Sequence, residues 1–66
     1  MINIEIYQNE EVPLITMDFP AMIRVGETLS ILNDDYFTYY NVKKIWYRIE
    51  RDGQQCVPCA EVEIDD

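Results

Sequence analysis

The 66 residues include thirteen Asp or Glu against five Lys or Arg, no His, and a formal net charge of −8 at pH 7. A chain this short is a single domain at most and has little room to enclose a substrate away from water, so an enzyme is not expected. The charge balance argues against binding a phosphate backbone, where affinity comes from Lys and Arg releasing counterions.

Hydrophobic residues at 48% and aromatics at 12% are too abundant for a disordered acidic tail. No apolar run approaches the roughly 18 residues that cross a bilayer. The start, Met1 to Glu5, lacks the basic and apolar regions of a signal peptide. A soluble cytoplasmic protein is therefore expected.

Residues 2 to 7 alternate, with Ile2, Ile4 and Ile6 opposite Asn3, Glu5 and Tyr7, which is the period of a half-buried strand. A polar turn follows, and then a short strand from Leu14 to Phe19. Pro13 stands at its start, where a missing N–H does least harm. Pro20 breaks the run, and Gly26 reads as a turn position that needs positive φ. A third strand resumes from Glu27 with Leu29 and Ile31 on one face. Asn33-Asp34-Asp35 signals a turn, because Asx side chains bond their own backbone and tolerate the left-handed region.

Tyr36 to Arg51 is rich in residues that fit a pleated surface. Asn41 is read as a bend that splits it into strands 36–40 and 42–51. Asp52-Gly53 predicts a two-residue type I′ hairpin. Counting outward pairs Arg51 with Gln54, Ile49 with Cys56, Tyr47 with Pro58, Ile45 with Ala60 and Lys44 with Glu61. No stretch of ten residues carries helical apolar spacing. The expectation is an all-β fold in which residues 1–66 form one small SH3-like barrel of five to six short antiparallel strands, closed so as to leave no exposed edge.

Pro20-x-x-x-x-Val25-Gly26-Glu27-x-Leu29-x-Ile31, Tyr40-x-Val42-x-x-Ile45 and Val62-x-Ile64 together resemble short SH3-like β-barrel proteins. These are found among phage, mobile-element and gut-bacterial products, mostly without assigned function. The resemblance covers about two thirds of the chain and brings no catalytic residues with it. It implies a barrel fold and a phage or mobile-element context, inside a bacterial host.

Cys56-Val57-Pro58-Cys59 is the one motif with potential chemistry. Redox catalysis needs a thiolate stabilised by a helix N-terminus, and the motif falls in a predicted strand with acidic neighbours. Zinc needs four ligands, so Cys56 and Cys59 would have to be joined by the same pair of a second chain, and residues three apart in a strand face opposite ways. The favoured reading makes the cysteines small buried hydrophobes, with Pro58 marking an edge strand or a bulge. No cofactor is expected.

Glu61, Glu63 and Asp65 form an acidic face, read first as solvated surface. The alternative is a decoy that imitates phosphates and inhibits a host enzyme, its charge steering it into basic clefts. Tyr36, Phe37, Tyr39, Tyr40, Trp46 and Tyr47 exceed what one small core needs. Tyr36, Phe37, Tyr39, Tyr40 and Trp46 are the candidate recognition surface, since aromatic walls bind extended peptides and exposed patches join subunits. The resulting expectation is a non-catalytic protein-interaction module, homo-oligomeric, that binds neither nucleic acid nor membrane. The alternatives are a phage-type inhibitor (nucleic-acid mimic or small-ligand sponge) and a structural component of a larger particle.

Overall fold

The computed structural model describes residues 1–9 and 11–65. Among these, regular structure is entirely strand: β1 (Ile2–Tyr7), β2 (Pro13–Phe19), β3 (Thr28–Asn33), β4 (Tyr36–Ile49) and β5 (Cys56–Ile64). They form one sheet in the order β2-β1-β5-β4-β3. The all-β expectation holds, and the chain folds as a five-stranded sheet curled into a half-barrel.

Counting from Asp52-Gly53 placed the β4–β5 ladder correctly, with Ile49 opposite Cys56, Tyr47 opposite Pro58, Ile45 opposite Ala60 and Lys44 opposite Glu61. The turn itself differs from the prediction. The Gly53 N–H donates to the Glu50 carbonyl at 2.8 Å and the Glu50 N–H to the Gln55 carbonyl at 2.9 Å. Only Gly53 has positive φ there, at 73°, whereas type I′ requires it at both central residues. The loop is thus 51–54 rather than 52–53. Adding one residue to each side leaves the register unchanged.

Three further expectations are corrected. β4 is continuous through Asn41, and its irregularity falls between Val42 and Lys44. Lys43 is the extra residue of a bulge, which bends the strand and increases its twist. The bend comes where β3 stops pairing, since the Gly26 N–H donates to the Val42 carbonyl and the Val42 N–H to the Glu27 carbonyl, both at 2.9 Å. Gly26 has φ +96°, in line with the expected turn position.

The second correction is that the sheet is not wholly antiparallel. β1 runs parallel to β5 over Glu5–Cys59, Ile6–Ala60 and Tyr7–Glu61. Pro58 therefore lies in the central strand, not an edge strand. Because Glu50 and Gln55 are hydrogen-bonded opposite one another, antiparallel alternation makes Tyr47–Pro58 a non-hydrogen-bonded pair. The missing N–H of Pro58 then faces β1, which accounts for a ladder that begins only at Cys59.

The third correction concerns closure. β2 and β3 are the unpaired ends of the sheet, and no Cα of one lies within 8 Å of a Cα of the other. The concave face carries the core of Ile4, Ile6, Ile23, Tyr40, Val42, Ala60 and Val62, flanked by Ile2, Ile15, Phe19, Met22, Leu29, Ile31 and Ile45. Ile23 belongs to the non-strand segment 20–27 and packs its side chain into this concavity.

Candidate functional site

Directly paired residues share a face, so the β3–β4 ladder decides which aromatics point outward. Leu32 faces Phe37, and Ser30 faces Tyr39. These project from the convex side, opposite to Leu29 and Tyr40, which line the core. Leu32, Phe37 and Tyr39 are each at least half exposed, as is Tyr36 beside the Asp34-Asp35 turn. Asp34 holds the tight turn in the left-handed region, with φ 53°.

Of the five aromatic candidates, Phe37 and Tyr39 share the exposed convex face of the hairpin, while Tyr36, exposed at its end, lies on the opposite face. Tyr40 is only 6% exposed and belongs to the core, so it is removed from the recognition surface. Trp46 is half-buried, its ring 5.4 Å from that of Tyr7 and inclined at 43°. Lys44 Nζ stands 5.4 Å above the indole, within the range of a cation–π contact. Leu32 was missed in the sequence reading. Counting the Asn33–Tyr36 hairpin outward, as was done for Asp52-Gly53, would have set it opposite Phe37.

A second cluster crosses the convex face where three strands meet. Glu5, Cys59 and Trp46 occupy one row of the β1-β5-β4 ladder. Arg48 donates from Nη1 to Glu5 Oε1 and from Nη2 to Glu5 Oε2 at 3.2 Å, a bidentate bridge over β5. The Tyr7 hydroxyl donates to Glu5 Oε1 at 2.8 Å. Cys59 lies beneath with no exposed surface, its Sγ 3.7 Å from Glu5 Oε1.

The electrostatics follow from these contacts. The Arg48 guanidinium holds the Glu5 carboxyl below its usual range, against the opposing effect of burial. The bond to Glu5 raises the Tyr7 hydroxyl. Burial, reinforced by the Glu5 charge, raises the Cys59 thiol. A thiol kept protonated and covered is a poor nucleophile, so the arrangement reads as a structural clasp.

Both cysteines are free, Cys56 exposed and Cys59 buried. They occupy opposite faces of an uninterrupted β5 and share no surface from which to hold one ion. Among the described residues no three His, Cys, Asp or Glu gather as metal ligands, and no helix is long and apolar enough to cross a membrane.

The acidic face is interleaved with lysines. Lys43 Nζ lies 3.3 Å from Glu63 Oε1, and Lys44 sits opposite Glu61. Asp65 is exposed, its backbone N–H bonded to the Tyr39 carbonyl at 2.8 Å. No family model, curated protein or solved structure matches this chain.

Proposed function

We propose that this chain is a non-catalytic, cytoplasmic protein-interaction module of SH3-like type, which docks a protein partner on the convex face of its β3–β4 hairpin. The observation that supports this is the exposure of Leu32, Phe37 and Tyr39 together on that face. Half of each roughly 200 Å² aromatic side chain, with the leucine, amounts to an apolar patch on the order of 300 Å². A patch of that size is commonly an interaction site. Self-association through the same patch belongs to the proposal. It is opposed by −8 charges on each copy, so added salt, which shortens the Debye length to about 8 Å at 0.15 M, strengthens it.

The decoy reading has weaker support, because Lys43 and Lys44 interrupt the carboxylate row. The test places a photo-crosslinking aromatic residue at position 37 and, as control, at position 52. The captured partner is then titrated against variants. Phe37→Asp and Tyr39→Ala should each weaken binding at least about tenfold, as loss of a central aromatic anchor does, while charge reversal of Glu61, Glu63 and Asp65 leaves it intact. The opposite pattern would establish the decoy and overturn the aromatic surface.

A further inference from the structure

The concave side of the half-barrel carries a feature that the hairpin surface does not use. Ile6, Ile15, Met17 and Phe19 from β1 and β2 face Leu29 and Ile31 from β3 across a groove of about 250 Å³. The flanking strands are the two unpaired edges of the sheet, and each offers backbone N–H and C=O groups to a further strand.

The gap is too wide for the two edges to pair directly and leaves room for a further strand. Paired strands lie about 4.8 Å apart, so one inserted strand needs about 9.6 Å between its neighbours. β2 and β3 stand more than 8 Å apart at every described Cα pair, too far to pair with each other. Tracing direction through the sheet sets β2 antiparallel to β3 across the gap. An inserted strand would be parallel to one edge and antiparallel to the other, and both ladders are compatible with an extended chain.

Charge indicates the kind of segment. With this polarity Asp18 and Glu27 flank one end of the seam, and Glu11, Asp34 and Asp35 the other. Of the five basic residues, Lys43, Lys44 and Arg48 lie on β4 and Arg51 in the following turn, which leaves Arg24 near the seam. A second copy would bring another −8 to this acidic rim.

We propose that the β2–β3 seam accepts an extended segment of a partner protein, apolar at alternate residues and basic at both flanks, which completes the barrel as a sixth strand. Its inward side chains occupy the groove over Ile6, its backbone pairs with both edges, and its lysines or arginines meet the acidic ends. This surface is separate from Phe37 and Tyr39, and neither proposal requires the other.

The probe is a synthetic peptide of alternating valine and threonine with paired lysines at each end, matched in length to the seven-residue β2. Titration should give saturable binding that weakens with salt. Hydrogen exchange on the unmodified protein should slow at alternate amides in both 13–19 and 28–33. A scrambled peptide and one flanked by glutamates should bind at least tenfold more weakly. Met17→Lys, at a position already nearly half exposed, should lower affinity at least tenfold with its far-UV spectrum unchanged, whereas Phe37→Asp should leave it unaltered. Four outcomes would overturn the proposal: no binding, protection of one edge only, the same protection in a peptide-free dimer (which assigns the seam to a second copy), or displacement of the peptide by laurate with neither edge protected (which assigns it to an acyl chain).

Discussion

Replacing Ile4 by valine removes one methyl group from a side chain with no exposed surface, in β1 opposite Met17. Transfer of one such group is worth about 0.8 kcal/mol. The space it leaves adds to that, so Ile→Val in a packed site costs about 0.5–1.5 kcal/mol. For 66 residues the total stability is roughly 3–10 kcal/mol, so the loss is a visible fraction of the whole. It should lower Tm by about 4–8 °C per kcal/mol. Ile49→Val makes the same chemical change at a side chain that is 66% exposed and should stay within about 0.5 kcal/mol of the parent. Urea unfolding followed by Trp46 fluorescence and by far-UV circular dichroism measures both, with equal m-values as the check that only stability has moved. If Ile49→Val costs as much as Ile4→Val, burial does not set the cost and Ile4 is not part of a packed core.

The Glu5 clasp makes a pH prediction. Its carboxyl is depressed in the folded state, mainly by Arg48, so its contribution is present above the ordinary value of 4.5 and is lost as pH falls through the depressed one. Tm of the parent should therefore drop more steeply than that of Arg48→Met below about pH 4.5, and the two curves should converge in acid. Parallel curves would show that the bridge contributes nothing. At the alkaline end Cys59 and Tyr7 are raised from 9.0 and 10.0, so stability should decline as pH rises past about 9 and the unfolded chain ionises first. Of the two thiols, Cys56 should react at once with an aromatic disulfide reagent in native protein. Cys59 should wait for opening and react promptly only in denaturant. Equal rates would contradict its burial.

What the sequence disclosed was local. Pairs that radiate from one turn could be counted, and the Ile49–Cys56 register survived an incorrect turn type because the loop grew by one residue on each side. Alternation in β4 could not settle which aromatics face outward, since either parity of 36–40 is acceptable until a partner strand is known. The core position of Tyr40 follows from its pairing with Leu29. The bulge at Lys43 gave no compositional signal, whereas Asn41, which did, stays in a regular ladder. The β1–β5 pairing was not legible, because contacts between the two ends of a chain leave no spacing to read. With it went the Glu5–Arg48 bridge, whose partners are 43 residues apart.

That parallel ladder also bears on how the chain is made. β1 and β2 form one hairpin, β3 to β5 form a meander, and among the described residues the backbone joint between them is three residue pairs near the C-terminal end of the sequence. A two-stranded hairpin alone is marginal in water. During synthesis the first strand has no lasting place until Cys59 to Glu61 have been translated, so assembly waits for β5. Bringing β1 and β5 together must also offset the loop-closure entropy of all the residues between them. Until then the apolar side chains of β1 and β2 stay open to other nascent chains. A premature stop codon even a few residues upstream of Cys59 would yield an aggregation-prone fragment instead of a shortened barrel.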